Sequence, residues 1–194
     1  TPRSNRSGIP IKPLYGPDDL NGGLNQDSYM NSLGFPGDGP TTRGIHASMH
    51  RGRPWSPRLV VGLDLPEDYN ARMRALYDIG LTGLYVAPCN SHMRGFDPDE
   101  VEPELLGHCG TVIASAEDMR VCLDGLPIDK YSTSLGCSAP YTLSAFLFAV
   151  AKRRGIAWNK LAGTTNQSDY LSHHTALHIF FRIALPGQRQ LLLD

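Results

Sequence analysis

Short apolar runs alternate with helical patterns through residues 59–194, and this alternation restricts the possible folds more than any other feature of the chain. The runs predict strands at residues 59–63, 84–87, 111–114, 131–135 and 161–164. The spacing of apolar residues predicts helices at residues 66–79, 117–123, 140–154 and 170–183. Strands that are apolar on both faces and separated by helices are typical of a parallel sheet covered by helices. We therefore expect an α/β fold with about five parallel strands.

The first 58 residues have a different character, because Pro and Gly interrupt them at short intervals. Residues 8–13 and 34–40 break both helix and strand. We interpret residues 1–58 as an extended arm that wraps a core formed by residues 59–194. The alternative is a disordered leader. However, this segment contains large apolar residues at intervals, which disordered segments usually lack, namely Tyr15, Phe35, Met49 and Trp55.

Composition excludes several classes of function. A net charge of -1 gives no field that would favour nucleic acid or an anionic membrane as a partner. The longest apolar stretch, residues 141–150, is shorter than the roughly 20 residues that cross a bilayer. The four cysteines show no CxxC spacing, which argues against structural zinc and favours reduced thiols in the cytoplasm.

Four segments carry motifs in a fixed order along the chain. They are residues 8–15 (GIPIKPLY), 42–58 (TRGIHASMHRGRPWSPR), 115–129 (SAEDMRVCLDGLPID) and 161–164 (LAGT). Together they resemble the methylmalonyl-CoA mutase family, in which this region begins a (β/α)8 barrel and the CoA tail threads the barrel axis. The resemblance implies a partial TIM-type barrel with an extended N-terminal arm. Because closure takes about eight strands, a second copy (a homodimer) or a complementing barrel half is expected to complete it.

The resemblance also implies a set of substrate-binding residues. Arg53, Ser56 and Arg58 would contact the CoA or pantetheine portion of the substrate. Arginines on a rigid Pro-Trp segment can fork onto phosphate oxygens, although they can instead pair with surface carboxylates. The remaining residues that the resemblance implies are His46, Ser48 and Met49 beside these arginines, and Arg94 in a loop similar to the family's THRGYDSD loop.

Several departures from the family pattern bear on the activity. Val60 stands where the family has a catalytic tyrosine. The family's arginine that binds the substrate carboxylate corresponds to a position near Leu177, which is apolar. No histidine has the DxHxxG spacing of the family's cobalamin ligand, so we expect no cofactor in this chain. His173 and His174 would point about 100° apart on a helix, so we expect no metal site either. Mutase activity by this chain alone is not expected.

Other residues can carry non-radical chemistry on an acyl thioester. His92 is a candidate general acid or base with Asp97 in the same loop, or a residue that orders the loop. Cys137 is a better candidate nucleophile than Cys89, because it precedes a predicted helix that would lower its pKa, although packing is the favoured interpretation of both thiols. Gln167 and Asp169, with Asn166, can polarise a thioester carbonyl, or Asp169 can cap the last helix.

The first functional hypothesis is a cobalamin-independent lyase or isomerase that binds an acyl-CoA or an acyl carrier protein. The chain would then be a domain from a polyketide synthase-type multienzyme. The second hypothesis is a non-catalytic assembly module related to acyl-CoA mutases. A split mutase is the third, and Val60 argues against it because the reconstituted site would lack its phenol.

Overall fold

The computed structural model describes residues 3–20, 25–52, 54–93, 96–136 and 140–165. The chain divides into two compact units, residues 1–55 and 56–194. The helices are α1 (Gln26–Ser32), α2 (Pro66–Asp78), α3 (Asn90–Met93), α4 (Ala116–Cys122) and α5 (Pro140–Arg153). The strands are β1 (Arg3–Ser4), β2 (Pro10–Ile11), β3 (Gly83–Val86), β4 (Ser132–Leu135) and β5 (Gly163–Thr165). In the described part of the chain, no helix is long and apolar enough to cross a bilayer.

Arginine side chains organise the N-terminal unit, whose backbone is mostly irregular apart from α1 and the antiparallel pair of β1 and β2. The Arg43 guanidinium donates to the Tyr15 carbonyl at 3.0 Å and to the Tyr29 hydroxyl. Arg51 donates to the Ile11 carbonyl at 2.8 Å. Such bonds satisfy backbone carbonyls that neither a helix nor a sheet pairs.

A three-stranded parallel sheet lies at the centre of the C-terminal unit, in the order β3, β4, β5. Residues 58 and 61 each form a single parallel bridge to β3. Three predicted helices are confirmed as α2, α4 and α5, within one residue at each end. The predicted helix at residues 170–183 lies outside the described residues.

The prediction of a parallel sheet with helices is confirmed, but five strands are not shown. Of the predicted strands, residues 59–63 and 111–114 form only isolated bridges. A side chain connects the two segments: the Thr111 hydroxyl donates to the Leu63 carbonyl and accepts from the Leu63 amide, each at 3.0 Å. The Thr111 hydroxyl therefore supplies the partner of the Leu63 backbone, whereas the Thr111 backbone itself bonds to Ala87 and Cys89.

One face of the sheet forms the hydrophobic core. Leu84, Val86 and Leu135 are at most 2% exposed and belong to the same buried cluster as apolar residues of α2, α4 and α5. Burying a side chain of this size contributes about 1.5–3 kcal/mol. The Tyr69 hydroxyl of α2 also donates to the Tyr85 carbonyl at 2.9 Å, which joins this helix to the sheet.

Candidate functional site

The other face of the sheet carries hydroxyl groups. Side chains alternate along a strand, so the residues between the core leucines and valine point away from the helices. These residues, which we name the hydroxyl face, are Tyr85, Ser132, Ser134 and Thr164. The Ser134 and Thr164 hydroxyls share a hydrogen bond of 2.7 Å across the two strands. Closed α/β barrels usually fill this side with branched aliphatic residues, whereas this chain lines it with donors and acceptors.

Arg58 lies at the amino-terminal edge of the hydroxyl face. Its backbone bridges to Gly83, the first residue of β3, and its guanidinium donates to the hydroxyl of Ser132, the first residue of β4. Within the part of the chain that the structure describes, Arg58 forms no ion pair with a carboxylate. A guanidinium held by one neutral hydroxyl keeps donors for an anionic group.

Tyr85 extends the hydroxyl face to the opposite, carboxyl-terminal edge. A Cβ built on Gly136, one residue past β4, would lie 2.5 Å from the Tyr85 phenol oxygen. The bridges of residues 58 and 61 to residues 83 and 86 align Val60 with Tyr85 on the same face. Tyr85 does not stand out in the sequence, because it lies within an apolar run. The alternating hydroxyls of Ser132 and Ser134 were the signal that could have identified this face.

His92 and Asp97 are two of the predicted catalytic residues, and both follow β3 at its carboxyl end. Burial lowers the pKa of His92 from its ordinary value of 6.5, and the Asp97 carboxylate opposes that shift. The Nε2 atom is buried and has no hydrogen-bond partner among the described residues. Asp97 itself is exposed and begins the turn Pro98–Glu100, where its amide donates to a Glu100 carboxylate oxygen at 3.1 Å. The imidazole is therefore neutral at neutral pH.

The Cys89 thiol is completely buried between β3 and α3. Burial raises its pKa, but hydrogen bonds from the Ser91 hydroxyl and from nearby amides outweigh burial and lower the pKa overall. One of these donors is the Gly107 amide, 3.4 Å from the sulfur atom. This arrangement fits the packing interpretation of Cys89, because a nucleophile also needs access to its substrate.

The other predicted residues are divided between the units or lie outside the described part. His46, Ser48 and Met49 belong to the N-terminal unit, where Met49 begins the turn Met49–Arg51. Ser56 belongs to the C-terminal unit and is exposed. The predicted site residues outside the described ranges are Arg53, Arg94, Cys137, Asn166, Gln167 and Asp169. Of the predicted residues, the structure brings Arg58 to the hydroxyl face and places His92 within electrostatic reach of Asp97.

Residues 4–190 match the family model described as methylmalonyl-CoA mutase. The chain belongs to the methylmalonyl-CoA mutase family. It is 35% identical over 186 residues to the methylmalonyl-CoA mutase of Rhizobium meliloti (strain 1021), covering 94% of this chain and 25% of that protein. It is 33% identical over 186 residues to the methylmalonyl-CoA mutase of Escherichia coli (strain K12), with the same coverage.

A relative named for a different activity matches the same stretch of the chain. The 2-hydroxyisobutanoyl-CoA mutase large subunit of Aquincola tertiaricarbonis is 30% identical over 183 residues, covering 93% of this chain and 32% of that subunit. The chain therefore spans between a quarter and a third of the length of these curated relatives.

The DxHxxG motif of the family's cobalamin ligand does not occur in the sequence, and the expectation that this chain binds no cofactor stays a prediction. Of the described histidines, His46, His50 and His108 are exposed, and the Nε2 atom of His92 is buried. The described residues also contain no cluster of three or more potential metal ligands. We therefore derive no step that passes through cobalt.

Proposed function

We propose that this member of the methylmalonyl-CoA mutase family binds the pantetheine arm of an acyl-CoA along the hydroxyl face. The observation that carries the proposal is the row of hydroxyls where a filled barrel would carry aliphatic side chains. Pantetheine contains two amides, and hydroxyls can both donate to and accept from amides. The paired hydroxyls of Ser134 and Thr164 lie midway along that row.

The position of the positive charge on the hydroxyl face predicts the orientation of the bound acyl-CoA. Arg58 lies at the amino-terminal edge, where its remaining donors suit the phosphates of CoA. The acyl end then reaches the carboxyl-terminal edge, where the active sites of α/β barrels lie. Ser132 and Gly136 are four residues apart, which corresponds to about 13 Å of extended strand.

Acid–base chemistry on the acyl group is the second part of the proposal. A neutral imidazole can accept the proton next to a thioester carbonyl, and His92 follows β3 at the edge where the acyl group would lie. Its lowered pKa keeps it in the accepting form at neutral pH. Catalysis without cobalamin, an acyl carrier protein as an alternative partner, a cytoplasmic location and an origin in a polyketide synthase-type multienzyme stay predictions.

Binding measurements with two probes test the proposal. Isothermal titration of the full chain should detect CoA and also pantetheine, which lacks the phosphates. Arg58→Ala should weaken CoA binding about tenfold and leave pantetheine binding unchanged, because only CoA offers a charged partner. Thr164→Val should weaken both ligands, because it removes a hydroxyl from the middle of the face.

The matched control is Arg72→Ala, because Arg72 is exposed on α2 and away from the sheet. It should change neither affinity. Failure of the unaltered chain to bind either CoA or pantetheine would overturn the proposed function.

A second candidate function is assembly with another protein chain, and an exposed edge strand and exposed aromatic side chains favour it. All three residues of β5 are exposed. Phe148 and Trp158 are 42% and 62% exposed, and their ring centroids lie 5.7 Å apart. A homodimer or a complementing barrel half would cover such surface. Light scattering of the purified chain tests this candidate, and a monodisperse monomer with a single complete unfolding transition would contradict it.

A further inference from the structure

Asp64 has a backbone conformation that residues other than glycine rarely adopt. Its φ angle is +25°, and the other non-glycine residues with positive φ in the described part of the chain, Thr41 and Met49, belong to the N-terminal unit. A side chain is crowded by the backbone in this left-handed region, so such a residue persists only where the surrounding structure holds it. Residues of this kind are concentrated at active sites and ligand-binding segments, which makes Asp64 a candidate for a role beyond the fold.

Asp64 lies at the carboxyl-terminal edge of the parallel sheet. Val61 bridges in parallel to Val86, the last residue of β3, and its carbonyl accepts from the Ala87 amide at 3.0 Å. The chain then passes the end of β3 and reaches Asp64 three residues later. Under the proposed function this is the edge that the acyl end of the ligand reaches, because the active sites of α/β barrels lie there.

Hydrogen bonds from a neighbouring segment hold the backbone at Asp64. The Val112 amide donates to the Asp64 carbonyl at 2.9 Å. Immediately before it, the Leu63 amide and carbonyl both bond to the Thr111 hydroxyl. These bonds offset the strain of the left-handed conformation, so the fold fixes the point from which the Asp64 side chain extends.

The Asp64 carboxylate lies against Gly107, where the absence of a side chain makes room for it. A Cβ built on Gly107 would overlap the Asp64 Oδ1 atom. The Gly107 amide does not bond to this carboxylate, because it donates to the Cys89 sulfur atom at 3.4 Å. Within the residues that the structure describes, the Asp64 carboxylate accepts no hydrogen bond and forms no ion pair. Its oxygen atoms are therefore free to accept from a ligand.

The surroundings of this carboxylate are apolar and exposed. Asp64 is exposed, and the residues on either side of it, Leu63 and Leu65, are 44% and 51% exposed. The carboxylate does not cap α2 either, because Leu65 is the N-cap residue of that helix and has no side-chain cap bond. A hydrogen-bond acceptor between exposed leucines suits a ligand that carries a hydroxyl group on a hydrocarbon.

We propose that the Asp64 carboxylate recognises a hydroxyl group on the acyl chain: it accepts a hydrogen bond from the hydroxyl, while Leu63 and Leu65 contact the hydrocarbon. This inference rests on the proposed function, because it requires the acyl group to lie at the carboxyl-terminal edge. It adds a substrate class, namely hydroxyacyl thioesters. Acyl groups with a free carboxylate are disfavoured, because Asp64 would repel that charge.

Two ligands that differ only by a hydroxyl group test the inference, namely 3-hydroxybutyryl-CoA and butyryl-CoA. Isothermal titration of the full unaltered chain should show about fivefold tighter binding of the hydroxylated ligand, as for one hydrogen bond. Asp64→Asn keeps the shape of the side chain and tolerates the left-handed backbone, so it should lose part of this preference. Asp64→Gly should lose all of it and should bind butyryl-CoA as the unaltered chain does.

Thermal unfolding distinguishes this role from a structural one. Glycine adopts positive φ without crowding, and the strain that is relieved offsets the greater freedom of glycine in the unfolded chain. Asp64→Gly should therefore leave the unfolding temperature unchanged or raise it. A carboxylate that serves the fold would give the opposite result, a lower unfolding temperature with weaker binding of both ligands, and that result would overturn the inference.

Asp78→Asn is the matched control, because Asp78 is an exposed carboxylate at the far end of α2. It should leave the preference for the hydroxylated ligand unchanged. A third ligand, 3-aminobutyryl-CoA, tests the choice of a hydroxyl, because an ammonium group can donate to the same carboxylate. Dependence on Asp64 for the amino ligand alone would overturn that choice.

Failure of this inference is distinguishable from failure of the proposed function. If the unaltered chain binds CoA and pantetheine but does not prefer the hydroxylated ligand, or if Asp64→Gly keeps the preference, the role of Asp64 is wrong and the proposed function stands. If the unaltered chain binds neither CoA nor pantetheine, the proposed function is wrong and the role of Asp64 is wrong with it. Loss of the preference in Asp64→Gly without loss of stability supports the inference.

Discussion

The two faces of the parallel sheet differ although they are made of alternate residues of the same strands. On β3, Leu84 and Val86 are 1% and 0% exposed within the core, while Tyr85 between them faces the other way and is half-buried. On β4, Leu135 packs in the core, while Ser134 bonds to a hydroxyl on the next strand. Neighbouring residues therefore differ in role: one set packs in the core, and the other carries the polar groups of the face to which we propose that a ligand binds. Conservative substitutions on the core face should therefore change mainly the free energy of unfolding, whereas those on the hydroxyl face should change mainly ligand affinity.

The largest expected effect comes from opening a cavity on the core face. Leu84→Ala should lower the free energy of unfolding by about 2–5 kcal/mol, because it removes buried apolar contacts and leaves a void. Urea denaturation monitored by circular dichroism measures this change. On the opposite face, Thr164→Ala should cost about 1 kcal/mol or less, because Thr164 is exposed. Equal losses for both variants would contradict the assignment of the two faces.

A smaller effect of opposite sign is expected at Thr133, a polar residue on the core face. Its hydroxyl is buried and has no hydrogen-bond partner among the described residues. Thr133→Val should leave the free energy of unfolding unchanged or raise it by up to about 1 kcal/mol, because an unsatisfied polar group is replaced by a methyl group.

Ser134, whose hydroxyl has a hydrogen-bond partner on the other face, is the residue to compare with Thr133. Ser134→Ala should lower the free energy of unfolding by about 1 kcal/mol, because it breaks the bond to Thr164. The same urea titration compares the two variants. A clear destabilisation by Thr133→Val would show that its hydroxyl has a partner.

The smallest expected effect is a change in pH dependence at the carboxyl-terminal edge. The pKa of His92 is lowered from 6.5 by burial, so the folded chain binds this proton less readily than the unfolded chain does. The His92 contribution to stability is therefore present above pH 6.5 and is lost as the pH falls from 6.5 through the folded pKa. One proton limits the slope to about 1.4 kcal/mol per pH unit.

His92→Gln should make stability less dependent on pH below 6.5, because glutamine does not titrate there. Thermal unfolding across that range measures the slope, and His108→Gln at an exposed position is the matched control. An unchanged slope in His92→Gln would mean that the imidazole is accessible to water in the folded chain.

Much of the secondary structure follows from the sequence. The apolar spacing gave α2 and α5 within one residue at each end, and the capping box at Ser115 correctly marked the start of α4. The strands were harder to assign, because apolar runs do not reveal whether a backbone finds a partner. Residues 111–114 had the right composition, yet they form only one isolated bridge, from Thr111 to Pro88, while the Thr111 hydroxyl bonds to the Leu63 backbone.

The site was predictable only in part. Arg58 was identified through its motif, and the structure places it beside the hydroxyl face, while its contact with CoA stays a prediction. Tyr85 was not singled out, because its place on this face depends on a register that brings residues 60, 85 and 134 side by side from three distant segments. The space beside Gly136 is likewise a property of the folded sheet and leaves no trace in local sequence.

The bond between Tyr69 and the Tyr85 carbonyl has a consequence for the phenol on the opposite side of the strand. Tyr69 is completely buried, so this tether holds the β3 backbone from behind. The Tyr85 side chain can then reorient only by rotation about its own side-chain bonds, because the backbone that carries it is held. The β3 backbone at this position therefore has little conformational entropy left to lose.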